Sequence, residues 1–369
     1  MVDVRGRFEP VELSRVPEVG ELFGNLGLGE FDGAVVSRSG RNDNWAGLTS
    51  SGARVFVKRH GEFGGASSRG FDRALSFEEA VAGQSISTEL RYPAVLGYDR
   101  DSLLVAFEWL ENARSGADLA FDGGFGEDLS EQAGRCIARV HGLDVGGIEI
   151  DDSVPPMPPE SILDALPLSQ WVESSGAQLK ALALLQSDAA LIAALRELRA
   201  AEASAGLRPG HCDLRLDQFL VVDEVLHLTD WEEFRLADPA RDIGSFAGEW
   251  LYRAVMAIPE ALDAEQGEPG DDVYTHEAVV AQGVRELERL RPRITAFCRG
   301  YREVRGEPEA GLAERAARYA GWHLIERMIA SATQRSRTSA LDLGAAGIGR
   351  SILLKPAAFI SILGLGGLV

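Results

Sequence analysis

The chain has 369 residues, enough for two lobes or domains, since a single core stops growing at roughly 250 to 300 residues. Its 45% hydrophobic and 25% charged residues are those of a folded globular protein and exclude wholesale disorder. Fifty-seven acidic against thirty-seven basic residues leave a formal net charge of -20. That charge repels nucleic-acid backbones and anionic membrane surfaces, and it suits cationic small molecules, basic peptides or metal-neutralised anions.

The N-terminal stretch MVDVRGRFEPVEL is charged throughout and lacks the apolar core of a signal peptide. Cys136, Cys212 and Cys298 fit no metal-ligand spacing and leave an odd count for disulfide pairing, so a reducing, cytoplasmic compartment is expected. A short helix is predicted at VPEVGELFGNL. Three strands follow at FDGAVVSRSG, NWAGLTS and ARVFVKRH, the last two joined by a hairpin turn at Ser51-Gly52. In ARVFVKRH, Lys58 shares a face with Phe56 and projects from the strand. GFDRALSFEEAVAGQ reads as a helix ending at Gly83, and PAVLGYDRDSLLVAFEWL as a hairpin turning at Asp99 to Asp101.

Beyond Glu111 the texture becomes helical. Leu129, Ala133, Cys136, Ile137 and Val140 recur at the spacing of an amphipathic helix, with Gly142 placed to end it. DDSVPPMPPES is proline-rich and predicts an extended loop. One long helix is predicted over GAQLKALALLQSDAALIAALRELRAAEAS, and two more over EAVVAQGVRELERL and AGLAERAARYAGWHLIERMIASA. The apolar tail PAAFISILGLGGLV is too short to span a bilayer and is expected to dock on the core. These elements define an α+β chain in two lobes: a sheet-rich N-lobe over 1–106, a hinge over 107–112 and a helical C-lobe over 113–369.

The chemistry concentrates in HCDLRLDQFLVVDEVLHLTDWEEF, from His211 to Phe234, where two aspartates flank a hairpin that turns at Asp223-Glu224. A nucleoside triphosphate is densely anionic, so an enzyme must bring magnesium to it, and that hard ion prefers carboxylate oxygens. Asp230 is predicted to hold the Mg2+. A second carboxylate, off the metal, orients the acceptor hydroxyl and takes its proton, and Asp213 fits that role. Gln218 stands where this pattern expects asparagine; its amide oxygen remains a metal ligand, weakened because the extra methylene displaces it. The same core requires a strand lysine to grip the phosphates of ATP and a helix glutamate to hold that lysine. Lys58 answers the first requirement, and Glu78 or Glu79 the second. SGRNDNWAG is a small, polar turn of the kind that covers phosphates with backbone amides. His211, Cys212, Trp231 and Glu232 are read as structural.

Taken together, Lys58, the hinge FEWL, AGRCIARVHGL, HCDLRLDQFL and LTDWEEFRLADPARDIGSFAGEWL resemble the aminoglycoside phosphotransferase and choline kinase superfamily, from about Val35 to Trp250. That resemblance implies a protein-kinase-like fold with ATP and Mg2+ as cofactors. It also implies Asp213 as catalytic base, Asp230 as metal ligand, Asp238 and Asp242 as buttresses of the loop, and the hinge residues Phe107 and Trp109 at the nucleotide. Within the superfamily the chain is most similar to the kinase subunit of class V lanthipeptide synthetases. This narrower resemblance implies phosphorylation of serine or threonine in a ribosomal precursor peptide, with separate lyase and cyclase subunits as partners. An aminoglycoside-like small molecule is the alternative acceptor. The alternative class is a pseudokinase subunit that binds without transfer, against which the retention of Lys58, Asp213 and Asp230 speaks.

Overall fold

Alternating apolar residues in RVFVKR give a strand with one buried face, and the N-terminal sheet is built around it. The structure is a computed structural model and describes residues 11–38, 40, 42–61, 67–82, 84, 88–155, 158, 160–266 and 274–369. Strands β1 (Asp43–Leu48), β2 (Arg54–Arg59), β3 (Val95–Asp99) and β4 (Leu104–Glu108) form an antiparallel sheet in the order β1-β2-β4-β3. Val55 and Val57 of β2 share one buried cluster with Leu104 and Ala106 of β4 and with Val19, Leu22 and Phe23 of helix α1 (Glu18–Leu26). Because strand side chains alternate, burying the valines turns Phe56 and Lys58 to the other face. Gly52, at φ +84°, makes the β1–β2 turn, and the Asp99 to Asp101 turn is likewise in place.

The stretch FDGAVVSRSG is not a strand: it makes the isolated bridges Phe31–Thr49 and Val36–Ala46. Gly33, at φ +92°, interrupts its extended run. Helix α2 (Ser67–Ala82) starts earlier than predicted, and Gly83 lies outside the described residues.

Backbone contacts group the chain into two units. The first contains Met1–Leu119, Leu143–Asp151 and Asp217–Arg235; the second contains Ala120–Gly142, Asp152–Leu216 and Leu236–Val369. In the first unit, β5 (Phe219–Val222) and β6 (Val225–Leu228) form the predicted hairpin, with the short strand Arg114–Ser115 on its outer edge. Asp223 and Glu224 turn the chain with φ of +49° and +63°, the left-handed backbone of a two-residue hairpin loop.

The second unit is helical. Helix α3 (Glu127–Val140) packs on α7 (His276–Arg305), and their backbones approach so closely that glycine is required. A Cβ on Gly134 would strike the carbonyl of Phe297, and one on Gly300 the carbonyl of Glu131. This packing carries α7 well past the predicted end and through Pro292, burying Ile294, Phe297 and Tyr301. The single helix expected over 176–204 is two, α4 (Gly176–Gln186) and α5 (Ala189–Ser204), bent by 83°. Asp188 causes the break by capping α5, its carboxylate accepting from the Leu191 amide at 3.0 Å. Helices α6 (Ala240–Met256), α8 (Leu312–Gln334) and α9 (Ala340–Leu354) complete the core. The C-terminal tail docks on it as predicted, with Leu363, Leu365 and Leu368 buried. No single helix among the described residues is long and apolar enough to cross a membrane.

Candidate active site

In the first unit, strand alternation aims Lys58 away from the core, and two carboxylates from the turn after β6 meet it. Its ammonium donates to Asp230 Oδ1 in a short bond and to Glu232 Oε2 at 2.9 Å. Burial opposes the lysine's charge, but Asp230 and Glu232 more than offset this and raise its pKa. Asn42, at the start of the first hairpin, donates to the same Glu232 oxygen at 2.6 Å, and its own carbonyl oxygen accepts from the Gly61 amide at 3.1 Å. His60 lies beside this cluster, its Nδ1 3.9 Å from Glu232 Oε2. Burial and then the Lys58 charge push its pKa down to about 4, so the ring is neutral near pH 7.

The helix glutamates do not hold the lysine. Lys58 bonds neither, and Glu79 is exposed. Burial pushes the Glu78 carboxyl up to about 7. The reason lies in how α2 packs: Phe77 stacks on Trp231 with ring centroids 3.5 Å apart and planes at 7°. That stack sets the Trp231–Glu233 turn against α2, and Arg73 of α2 bonds Glu233 at 3.1 Å. The turn therefore delivers Glu232 to the place that a helix glutamate would fill. Asn42 and Glu232, the latter read as structural from the sequence, are the two side chains at the lysine that sequence reasoning did not place there.

Gln218 precedes β5 and is buried, and its carbonyl accepts from the Thr229 amide at 2.9 Å and the Thr229 hydroxyl at 3.1 Å. These bonds set Gln218 opposite the residue before Asp230, so the two predicted metal ligands come together at the open end of one hairpin. The cluster suits a divalent ion: Asp230 already receives a cation, the Lys58 ammonium, and the neighbouring donors are hard oxygens. No group of three or more His, Cys, Asp or Glu among the described residues could cage a metal alone. Phe107 lies in β4 with its ring 6.3 Å from Phe56, and the Trp109 amide bonds the Arg54 carbonyl at 3.1 Å. The SGRNDNWAG turn falls partly outside the described residues, at Ser39 and Arg41.

Asp213 belongs to the second unit, where it is part-exposed and faces Arg215 at 3.6 Å. Its loop is anchored by Asp242, the buttress expected there. Asp242 is fully buried and accepts from the amides of His211 and Cys212, both at 2.8 Å, and from His141 Nε2 at 3.0 Å. His141 Nδ1 and the Tyr301 hydroxyl are hydrogen-bonded at 3.0 Å. Burial works against the Asp242 charge, yet these donors hold its pKa below the ordinary value. Asp242 thus fixes Cys212 in the left-handed region, φ +65°, which re-aims the chain into Asp213. Asp238 caps the next helix through the Ala240 amide at 3.0 Å and pairs with Arg315 at 2.7 Å. Burial raises the pKa of Glu326 in α8, and the Asp213 charge adds to the shift.

A strand lysine gathered with two turn carboxylates, and an aspartate on a buttressed loop, define a kinase-like phosphotransferase. Residues 34–292 match the model of the phosphotransferase enzyme family, and the chain belongs to that family of ATP-dependent enzymes acting on hydroxyl groups. Two solved structures share its α+β fold. An amicoumacin kinase in complex with AMP-PNP, Ca2+ and Ami aligns at TM-score 0.55 and 13% identity, covering 96% of each chain. A choline/ethanolamine kinase family protein from Mesorhizobium loti aligns at TM-score 0.51 and 14% identity, covering 91% of this chain and 94% of the other. No curated relative matches the chain.

Proposed function

We propose that the chain transfers the γ-phosphoryl group of magnesium-bound ATP to serine or threonine hydroxyls of a ribosomal precursor peptide, in lanthipeptide-type biosynthesis. The cluster of Lys58, Asp230 and Glu232 carries the nucleotide half of this reading. Magnesium would be held by Asp230, with Gln218 as a weaker ligand, and would neutralise charge on the phosphates. Lys58 grips the phosphates, and the hinge at 107–112, with Phe107 and Trp109, takes the nucleoside end. Asp213 orients the acceptor hydroxyl and takes its proton as the oxygen–phosphorus bond forms and the bond to the departing ADP oxygen breaks.

The acceptor assignment is supported by the resemblance of HCDLRLDQFL and LTDWEEFRLADPARDIGSFAGEWL to the lanthipeptide kinase subunits, and by the acidity of the chain, which suits a basic peptide. A separate lyase would eliminate the phosphate to leave a dehydroamino acid, and a cyclase would add cysteine thiols. The reading places all three in the cytoplasm, without nucleic acid or membrane as partner. A small cationic alcohol is the second reading, favoured because the structures of similar fold are named for amicoumacin and for choline or ethanolamine.

Mass spectrometry of acceptors incubated with the chain, ATP and magnesium separates these readings. The panel holds any precursor peptide encoded nearby, common aminoglycosides and choline, each with and without the lyase. A peptide that gains phosphate, or loses water only with the lyase present, establishes the peptide kinase. Phosphate on a small molecule alone overturns it, and silence across the panel moves the weight to a binding subunit.

A further inference from the structure

We propose that Glu232 is the positioning residue for Lys58 and receives it from Asp230 when the metal and nucleotide bind. The inference rests on the nucleotide site assigned above. Lys58 has two carboxylate partners, and one of them is the predicted metal ligand. A divalent ion and an ammonium compete for a single carboxylate, so loading the site strips Asp230 from the lysine. Glu232 is the partner that stays.

Its position is set independently of any metal. Asn42 fixes the same Oε2 that Lys58 uses, and the Gly61 amide fixes Asn42. Beneath it, the Phe77–Trp231 stack seats the turn on α2. Helix α2 thus acts on the lysine through an aromatic stack and a turn, where kinase-like enzymes otherwise use a carboxylate on the helix itself.

The test uses calorimetric binding to the full chain of ATP with Mg2+, ATP in EDTA, and adenosine. Four forms are compared: wild type, Glu232→Gln, Lys58→Met and the double variant. Both single variants should weaken binding of ATP with Mg2+ by about tenfold, and the double variant should lose no more than Lys58→Met alone. Adenosine affinity should be unchanged throughout, because Lys58 acts on phosphates; a variant that merely misfolds would lose adenosine too. The Mg2+ concentration for half-maximal tightening of ATP should be unaltered in Glu232→Gln. Additive losses, or a raised Mg2+ requirement in Glu232→Gln, would make Glu232 a metal ligand and overturn the inference, as would full ATP affinity in that variant. A wild-type chain that binds no ATP would instead overturn the nucleotide site itself.

Discussion

Asp230 in the first unit and Asp242 in the second both accept side-chain hydrogen bonds, in opposite kinds of surroundings. The Asp230 side chain is 23% exposed and bonds the Lys58 ammonium, a partner that Glu232 also holds. That of Asp242 is 2% exposed and is ringed by a histidine and two backbone amides, none of which can leave without opening the core. A carboxylate proposed to exchange ligands is left part-exposed beside a side-chain cation. A carboxylate that must hold a loop is buried and bonded through fixed donors.

Substitutions at these aspartates and their neighbours should separate the two roles. The largest effect is expected from Asp213→Ala, where loss of the base should cut transfer by about 10²- to 10⁴-fold while calorimetry finds ATP affinity unchanged. Next is Asp242→Ala, which orphans the His141 ring and the two loop amides. It should cost about 3 to 5 kcal/mol, seen as a fall of roughly 10 °C in melting temperature by scanning calorimetry. Asp230→Ala, by contrast, should leave the melting temperature nearly unchanged and weaken ATP binding only when Mg2+ is present.

Glu78 provides a smaller, pH-dependent test. Its folded pKa of about 7 lies above the ordinary 4.5, so its contribution is fully present below pH 4.5 and is lost as pH rises through 7. Glu78→Gln should therefore stabilise the chain at pH 8, on the order of 2 kcal/mol, and not at pH 4, with no change in ATP affinity. Denaturant titrations at the two pH values check this. The smallest effect is expected for Gln218→Asn, a modest fall in the Mg2+ concentration needed for half-maximal transfer.

The meeting of Lys58 with Asp230 was legible in the sequence, because a strand alternation aims the one and a hairpin return delivers the other. Glu232 was not, because a glutamate after a tryptophan in a short turn has no local signature, and its role depends on a stack with a helix far away in the chain. Asn42 was hidden for the same reason. The break at Asp188 did have a local signal, a Ser-Asp pair able to cap a helix, but the alanine and leucine run around it masked the cue. The extension of α7 through Pro292 had none, since packing against α3 overrides the local preference.

The turn at Asp223-Glu224 has a consequence for the tolerance of the chain to change. Both residues adopt left-handed backbone without being glycine, at a cost of roughly 1 to 2 kcal/mol each. Asn-Gly in their place would relieve that cost and leave the pairing of Phe219 with Leu228 intact. A single inserted residue would instead slip the two strands and send alternate side chains to the wrong face. This loop can therefore change toward residues that tolerate left-handed backbone, and hardly at all in length.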